Sequence, residues 1–453
     1  MSSALWHPCT QMQTHENTPP LEVVRGQGAY LYKADGTPIL DAISSWWVNL
    51  HGHSHPKVNA AIIDQLGHLE QVMLAGFTHP PIEQLAQRLV EITPEKLTRC
   101  FFADSGSAAV EVALKMSLQY WHQSHQPQRR TFISLQNGYH GETLGSLAVT
   151  DIPLFSSQYQ PLLIQHLRAP TPDITLKEAG ETDHDFLTRQ FATLEKILED
   201  HQDTVCAIIV EPLVQGAAGM KMYPPIYLKW LRALCDRLNV HLIFDEIAVG
   251  FGRTGTMFAL EQAEVTPDFL CLSKGLTAGY LPMSCVMTTD GVYQAFYSTD
   301  VTRGFLHSHS FTGNPLAARA ALASLDIFQH ENTLQKNQQL IMTMQNELAK
   351  LKEHPNIRHV RQTGMIGAFE FVQANGQPYP AHDARGRLIA QFAMSKGILL
   401  RPIGHQVYMI PPYCITSDEI KHIIDVARQA VEWAARQSTP SISNHHTENL
   451  SLP

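Results

Sequence analysis

Short apolar runs alternate with helical patterns along the middle of the chain. Runs with the length of buried strands occur near residues 131–135, 207–210, 240–244, 269–272 and 283–288. Between residues 107 and 122, apolar side chains recur every three or four positions, which predicts an amphipathic helix. Its core-facing stripe comprises Val110, Ala113, Leu114, Ser117, Leu118 and Trp121. This alternation predicts an α/β fold, doubly wound, with a mostly parallel central sheet in a large domain.

The flanking regions have different patterns. Residues 28–42 alternate around an Asp-Gly pair at Asp35 and Gly36, which predicts a hairpin. From residue 313 onward, a long helix precedes two further apolar segments, and this indicates a smaller α+β domain. The predicted divisions are an N-terminal segment joining the small domain at 1–60, the large domain at 61–312, the C-terminal small domain at 313–437 and a disordered tail at 438–453. The polar stretch 168–186 is expected to be a surface loop.

Composition narrows the classes of function. The chain has 453 residues, of which 44% are hydrophobic and 17% are charged, as is usual for a globular enzyme. A net charge of −9 without a long Lys/Arg run argues against nucleic acid or an anionic membrane as the main partner, so small molecules are the expected partners. No apolar stretch reaches the roughly 20 residues of a membrane span, and the first residues do not resemble a signal peptide. A cytoplasmic location is expected.

Cysteine and histidine residues do not predict a disulfide framework or a metal site. The seven cysteines are scattered without a Cys-x-x-Cys motif, so we expect reduced core residues. His51, His53 and His55 lie close together, but in a segment with the Gly, Ser and Pro residues of a loop. Because no cysteine or carboxylate cluster completes a ligand set there, no metal is expected.

Two apolar runs end at residues whose chemistry suits an aldehyde cofactor with a pyridine ring. Asp245 follows the run 240–244. Lys274 comes after the run 269–272 and lies 29 residues beyond Asp245. The carboxyl ends of adjacent parallel strands meet at the ligand-binding edge of a sheet. A carboxylate there can keep a pyridine nitrogen protonated, and a lysine can bind an aldehyde covalently and move protons. Taken singly, Asp245 has the alternative of a cap or turn, and Lys274 that of an ordinary loop.

In order and spacing, the segments DEIAVGFGRTG and PDFLCLSKGLTAGYLP resemble the class III (ω-amino acid) aminotransferases, which are pyridoxal phosphate (PLP) enzymes of fold type I. The resemblance implies that PLP binds in the large domain, with Asp245 at its ring nitrogen. It also implies that Lys274 both attaches the cofactor and carries the substrate proton. A non-catalytic PLP-binding or regulatory protein is the alternative from another class, and the intact pair argues against it.

Further segments would complete a PLP site. Ser105, Gly106 and Ser107 lie between a short apolar strand and a helix, where free N–H groups suit a phosphate, although a plain cap is the alternative. The resemblance implies that Gly106 and Ser107 bind the phosphate. It also implies that Tyr139 and His140, of the Tyr-His-Gly motif, border the pyridine ring and shape the substrate pocket. Glu211, in a Glu-Pro pair, is implied to lie close to the cofactor.

The segment FLHSHSFTGNP resembles the part of these enzymes that reaches the phosphate of the neighbouring subunit. Ser310 takes the place usually held by threonine, and serine keeps the hydroxyl group. His309 lies beside it as a further cofactor-binding candidate, and Ser308 is a candidate for substrate binding. The resemblance therefore implies a homodimer with shared active sites.

Three segments resemble the branch of the family that acts in biotin biosynthesis. They are LWHPCTQM, the Trp46–Trp47 pair in DAISSWWVNLHGHSHP, and LLRPIGHQVYMIPPY, which contains Arg401. The resemblance implies S-adenosylmethionine as amino donor and 8-amino-7-oxononanoate as acceptor. Such a long keto acid needs an apolar channel and a distant cation, which Trp46 and Arg401 can supply. Core packing of the tryptophans and a structural salt bridge of Arg401 are the alternatives.

Other residues complete the predicted substrate site. Tyr139 and Lys274 are expected to contact substrate as well as cofactor. Arg253, in GFGRTG, either binds a substrate group or braces its loop. Cys9 stands where the family usually has an aromatic residue, often tyrosine, on the substrate-recognition surface. Lysine as the donor, or another ω-aminotransferase reaction on a diamine or ω-amino acid, stays open.

Overall fold

The computed structural model describes residues 4–16, 18–380 and 383–437, and the predicted tail at 438–453 lies outside the described residues. The strands are β1 Arg25–Gln27, β2 Tyr30–Tyr32, β3 Pro38–Asp41, β4 Leu97–Ala103, β5 Thr131–Leu135, β6 Leu167–Ala169, β7 Val205–Val210, β8 Val214–Gln215, β9 Lys221–Met222, β10 His241–Asp245, β11 Phe269–Leu272, β12 Ser284–Thr289, β13 Ile357–Thr363, β14 Ile366–Phe371, β15 Ile398–Leu399 and β16 Gln406–Met409.

The α-helices are α1 Ser44–Trp47, α2 Pro56–Leu66, α3 Pro80–Ile92, α4 Gly106–Gln123, α5 Leu144–Val149, α6 Pro153–Ser156, α7 Asp183–His201, α8 Ile226–Leu238, α9 Leu260–Ala263, α10 Asp290–Phe296, α11 Pro315–His330, α12 Thr333–Ala349, α13 Arg385–Ser395 and α14 Ser417–Arg436. Short 3-10 helices span Met12–Glu16, Ser157–Leu162, Ile174–Leu176, Lys274–Thr277 and Val301–Arg303.

A seven-stranded sheet, in the order β4-β12-β11-β10-β7-β5-β6, forms the centre of the molecule. Strand β10 pairs in parallel with both β11 and β7, whereas β12 runs antiparallel to its two neighbours. Every residue of β7, β10 and β11 is buried, which explains why these strands are nearly continuous apolar runs. The predicted mixed α/β fold with a mostly parallel sheet is confirmed.

Helix α4 packs across this sheet, and most of its predicted core-facing stripe is buried. Leu118 is the exception, since 39% of its surface is exposed. Successive residues of an α-helix are rotated by about 100° around its axis, so Leu118 lies about 80° from Val110 and closer to the side of the helix that bears Lys115. That prediction was wrong because Leu118 lies at the edge of the stripe, where the helix turns toward solvent.

The predicted hairpin forms, and it joins distant parts of the chain. Strands β2 and β3 pair around a turn in which Asp35 accepts a hydrogen bond from the Thr37 backbone N–H. Strand β3 then pairs in parallel with β15, so that the first part of the chain and the last part share one sheet. Strands β13, β14 and β16 form a separate antiparallel sheet, and α14 packs against α12 and α13.

The stretch predicted as a surface loop at 168–186 is only partly on the surface. Its beginning forms the edge strand β6, which pairs with β5. Asp173 is buried and forms a salt bridge with Lys221 (3.2 Å), while its carboxylate also accepts hydrogen bonds from Thr175. This polar stretch can be partly buried because the carboxylate of Asp173 has hydrogen-bonding and charged partners.

The cysteines are free thiols, and Cys206, Cys235, Cys271 and Cys285 are buried as predicted. Cys9 and Cys414 are exposed and Cys100 is half-buried, so core placement was wrong for these three. Within residues 4–16, 18–380 and 383–437, no helix combines the length and apolar character needed to cross a membrane.

Candidate active site

Asp245 and Lys274 meet at the carboxyl edge of the central sheet. Asp245 is the last residue of β10 and lies opposite Cys271 of β11, three residues before Lys274. The Asp245 carboxylate accepts a hydrogen bond from the Ile247 backbone N–H (3.1 Å) and contacts His140 Nδ1 (2.8 Å). Because these partners fix both oxygens, the carboxylate has one defined orientation in a buried site.

Lys274 has a strained backbone and an unusual side-chain environment. Its φ of 45° lies in the left-handed region, which residues other than glycine adopt only infrequently. Its Nζ lies 4.9 Å from the centre of the Trp47 ring. Burial lowers the pKa of Lys274, although Asp245 and Glu211 act in the opposite direction. The neutral amine that a nucleophile or base requires is thus easier to form than on a surface lysine.

Glu211 connects the strand edge to two loops. Its carboxylate accepts hydrogen bonds from the backbone N–H groups of Gly216 (2.9 Å) and Tyr139 (3.0 Å). Burial raises the pKa of Glu211 to about 7, and Asp245 adds to this effect. The side chain thereby holds the Tyr139 loop against the end of β7.

The amino end of α4 presents backbone N–H groups of the kind that bind phosphate. Ser105 is the cap, because its hydroxyl accepts a hydrogen bond from the Ala108 N–H (3.3 Å). The first-turn N–H groups of Gly106 and Ser107 have no partner within the helix. The Ser107 hydroxyl is engaged elsewhere, since it accepts hydrogen bonds from the backbone of Glu142 and Thr143. Ser107 can therefore offer an anion its backbone more readily than its side chain.

These groups line one cavity of about 610 Å³, here called the inner cavity. Its lining includes Gly106, Ser107, Tyr139, His140, Glu211, Asp245 and Lys274. One feature marks it as a site for a polar ligand. His140 Nε2 is buried and lacks a hydrogen-bond partner among the described residues. Gly106 also lets the helix start pack closely, since a Cβ there would come within 2.9 Å of the Ile247 side chain. The donor set fits a pyridine ring with an aldehyde and a phosphate.

A larger cavity of about 1020 Å³, here called the outer cavity, opens beside the inner cavity. Both cavities are bordered by Cys9, Trp46, Trp47, Tyr139, Glu142 and Lys274. The Arg401 guanidinium lies in the outer cavity, 4.4 Å from the centre of the Trp46 ring. An apolar wall completes it, made by Leu144, Leu147, Ile152, Leu154, Phe155 and Tyr159.

Cys9, which was predicted to contact substrate, lies where the two cavities meet. Burial and the nearby Glu142 raise the pKa of the Cys9 thiol, while Arg401 lowers it. Tyr139 donates a hydrogen bond to Glu142 (2.9 Å), and burial, with Glu142 adding, raises the pKa of the Tyr139 phenol.

Ser308, His309 and Ser310 do not line the two cavities. Ser308 and Ser310 are exposed, and His309 is held in a chain of contacts that runs across the surface. His309 Nδ1 lies 3.0 Å from Asp104, and His309 Nε2 lies 2.9 Å from His307 Nε2. His307 Nδ1 in turn lies 2.8 Å from Lys115 Nζ. Within one chain, the structure does not bring this segment to the site.

Arg253 also lies away from the cavities. Its side chain is only 1% exposed and donates hydrogen bonds to the carbonyl oxygens of Pro411 (2.9 Å), Asn49 (2.9 Å) and Trp47 (3.3 Å). With its guanidinium committed to three backbone groups, the structure favours the bracing alternative over substrate contact. Its influence on the site passes through the backbone of Trp47.

Several lining residues were not singled out from the sequence. Glu142 could have been found, because it is a carboxylate two residues after His140 in the Tyr-His-Gly motif. Arg387 and Tyr408 line the outer cavity from distant segments, and the apolar wall comes from residues 144–159. Apolar and basic residues at these positions carry no local pattern that separates a cavity wall from ordinary packing. Among the residues that the structure describes, there is no cluster of metal-ligating side chains.

Comparison with known proteins agrees with this geometry. The family described as "Aminotransferase class-III" matches residues 11–431. The adenosylmethionine-8-amino-7-oxononanoate aminotransferase of Helicobacter pylori is 44% identical over 427 residues, covering 93% of this chain and 94% of the relative. The protein of the same name from Geobacter sulfurreducens is 40% identical over 431 residues, covering 94% of this chain and 95% of the relative.

Solved structures give the same result. The crystal structure of adenosylmethionine-8-amino-7-oxononanoate aminotransferase from Methanocaldococcus jannaschii has a TM-score of 0.90 at 37% identity, covering 95% of this chain and 97% of that chain. An amine transaminase from an uncultivated Pseudomonas species, in its PLP-bound form, has a TM-score of 0.91 at 31% identity, covering 96% of this chain and 99% of that chain. With this site geometry and these similarities, the chain belongs to the class III aminotransferases, a family of PLP-dependent enzymes.

Proposed function

We propose that this enzyme transfers the amino group of S-adenosylmethionine to 8-amino-7-oxononanoate, giving 7,8-diaminononanoate for biotin biosynthesis. The observation that carries the proposal is the outer cavity, in which Arg401 and an apolar wall lead to Lys274. The names of the Helicobacter and Methanocaldococcus relatives support the same pair of substrates.

The inner cavity supplies the chemistry of transfer. When bound, PLP contributes an electrophilic carbon and a ring that accepts the electron pair left by a departing proton. Asp245, oriented by His140 and the Ile247 N–H, would hold the ring nitrogen in its protonated form. The Gly106 and Ser107 N–H groups would hold the phosphate. Lys274 Nζ would take the proton from the substrate Cα, aided by a pKa that burial lowers.

The outer cavity suits the acceptor in both shape and charge. The acceptor has a carboxylate at one end of an aliphatic chain, and a ketone beside an amine at the other. Arg401 can form two hydrogen bonds with the carboxylate, and the wall from Leu144 to Tyr159 can cover the chain. Glu142, which borders both cavities, can attract the ammonium group.

The first test is direct detection of the product by mass spectrometry. Purified enzyme and PLP are mixed with 8-amino-7-oxononanoate and, in separate tubes, with S-adenosylmethionine or lysine. We expect diaminononanoate only with S-adenosylmethionine. Product only with lysine would preserve the acceptor and change the donor. Absence of product in both tubes, with PLP bound, would overturn the proposal and favour the ω-transaminase reactions named for other structural relatives.

The two substrates would use one site in turn, because both cavities converge on Lys274. This predicts ping-pong kinetics, in which double-reciprocal plots at several donor concentrations are parallel. Intersecting plots would require both substrates to be bound together, which contradicts a shared site.

We further propose a homodimer in which Ser310, with His309 beside it, reaches the phosphate of the partner's site, and Ser308 reaches the substrate there. This is supported by the exposure of both serines beside the exposed apolar residues Leu306 and Phe311. A mixture of Lys274→Ala and Ser310→Ala chains tests it after refolding together, because one site of the mixed dimer would retain both residues. We expect partial recovery of activity. Light scattering that gives a monomer would contradict the proposal.

The division at 60, 312 and 437 and the cytoplasmic location also remain proposals. The pairing of β3 with β15 supports the joining of the first segment to the last part of the chain. Limited proteolysis would test the division, with cleavage expected near residue 312 before the interior of either part. Cell fractionation would test the location.

A further inference from the structure

The segment that carries both substrate-facing tryptophans has a strained backbone. Ser44, Ser45 and Trp47 have φ values of 52°, 60° and 65°, all in the left-handed region that favours glycine. The nominal helix α1 contains non-helical dihedral angles at Ser45 and Trp46. Non-glycine residues persist in this conformation only where their surroundings hold them there. Residues 44–48, here called the tryptophan segment, must therefore be fixed by neighbouring groups.

Asp41 is the group that fixes the start of this segment. It ends β3 and is fully buried. Its Oδ1 accepts hydrogen bonds from the backbone N–H groups of Ile43 (3.2 Å) and Ser45 (2.9 Å). Its Oδ2 accepts one from the Ser45 hydroxyl (2.9 Å) and lies 2.9 Å from His53 Nε2. Four partners occupy the carboxylate, so none of its acceptor capacity is left for a ligand.

The other side of the segment contacts the site. The Trp47 indole donates a hydrogen bond to Tyr408 (3.1 Å) and its ring lies 4.9 Å from Lys274 Nζ. The Trp46 ring lies 4.4 Å from the Arg401 guanidinium. A rotation of the backbone at Ser45 would move both rings, because side-chain direction follows the backbone dihedral angles. The tryptophan segment thus connects the Asp41 carboxylate to the two indole rings that face the site.

We propose that Asp41, with His53 as its partner, is a positioning residue that holds Trp46 and Trp47 in their substrate-facing orientation. It acts through the tryptophan segment and does not touch substrate. The identity of the acceptor in this inference rests on the proposed function. The effect of Asp41 on the conformation of the tryptophan segment is independent of that function.

The test compares Asp41→Asn with Asp35→Asn. The asparagine oxygen can still accept from the two backbone N–H groups, but its NH₂ group faces the Ser45 hydroxyl and His53. Asp35 is the matched control, because its carboxylate also accepts a hydrogen bond from a backbone N–H near the same sheet, at an exposed turn. We expect Asp41→Asn to raise the KM for 8-amino-7-oxononanoate about tenfold, with a smaller change in kcat. Asp35→Asn should leave both unchanged.

A second measurement does not depend on the substrates. Hydrogen exchange of a peptide spanning residues 42–50 should become faster in Asp41→Asn and stay slow in Asp35→Asn. If Asp41→Asn does not fold, His53→Phe removes one partner of Oδ2 and should give a smaller change of the same kind.

The outcomes separate the alternatives. Unchanged exchange in the 42–50 peptide, or a lower Tm with unchanged KM, would overturn the inference and leave Asp41 a stabilising residue only. If the wild-type enzyme makes no diaminononanoate, the proposed function fails, while the exchange measurement still decides the role of Asp41.

Discussion

The inner and outer cavities share Lys274 and Trp47 but differ in how their side chains are held. In the inner cavity Asp245, His140 and Glu211 are buried, and each has a short hydrogen bond to a defined partner. In the outer cavity Leu154 is 77% exposed, and Trp46, on the border with the inner cavity, is 45% exposed. The inner groups have a single geometry suited to bond making, whereas the outer wall offers area and charge to a substrate. Substitutions in the first should change kcat, and those in the second should change KM.

The largest expected effect is that of Lys274→Ala, which removes the group on which both cavities converge. We expect transamination to fall by on the order of 10⁴-fold, because no other described amine lines the inner cavity. PLP should still bind, held by the remaining groups. After borohydride reduction, intact mass should show a cofactor adduct on the wild-type chain but not on the variant. The surface variant Lys352→Ala is the control, and undiminished activity in Lys274→Ala would contradict the assignment.

Asp245→Asn should have the next largest effect on turnover. It would show whether the inner cavity requires the negative charge of Asp245. The amide can still accept from Ile247, but it cannot hold a ring nitrogen in the protonated form. We expect kcat to fall by about 10²-fold or more, with a smaller change in KM. Steady-state kinetics of the variant measures this change, with the surface variant Asp200→Asn as the control. Wild-type turnover would refute the role.

Burial of Glu211, in the inner cavity, predicts a pH-dependent component of the free energy of unfolding. Burial raises the pKa of Glu211 from 4.5 to about 7, so that the folded state keeps a proton that the unfolded state releases in this window. The free energy of unfolding should therefore fall by about 3 kcal/mol as the pH rises from 4.5 to 7, and this contribution is constant above it. Urea unfolding of the enzyme without PLP should show this component in the wild type and lack it in Glu211→Gln. Identical pH profiles for the two proteins would contradict it, with Glu353→Gln as the surface control.

Arg401→Gln should have a smaller effect, of the kind expected for the outer cavity. Loss of a charge-assisted pair of hydrogen bonds costs about 1.5–3 kcal/mol, so the KM for 8-amino-7-oxononanoate should rise about 10- to 100-fold. Arg387 lines the same cavity but lacks the stacking contact that orients Arg401, so Arg387→Gln should raise KM less. Initial rates at varied acceptor concentration distinguish the two. Equal effects, or an effect on kcat alone, would remove the difference between the cavities.

The inner cavity could be predicted from the sequence because its parts are local. Strands β5 and β11 have the predicted bounds, and Asp245 ends its apolar run as expected. Each chemical group follows a strand or begins a helix, where short-range pattern and chain direction together fix its place.

The outer cavity could be predicted only in part. Its wall combines residues 144–159 with Arg387 and Tyr408, and their proximity depends on how helices and strands from distant parts of the chain pack together. The bracing role of Arg253 could not be chosen over substrate binding, because its partners are backbone carbonyl groups distant in sequence. The strain at residues 44–47 is likewise invisible to periodicity, since it results from the partners of Asp41.

The contacts from Lys115 to Asp104 determine the tautomers of two histidine rings. The Lys115 ammonium can only donate, so His307 Nδ1 must accept and its Nε2 must carry the hydrogen. That hydrogen goes to His309 Nε2, and His309 Nδ1 then donates to Asp104. Two neutral rings thus lie between a cation and an anion, with all three donors pointing the same way. In the loop that bears Ser308 and Ser310, the side chains of His307 and His309 therefore connect Lys115 to Asp104 through three hydrogen bonds. The dipoles of these hydrogen bonds reinforce one another.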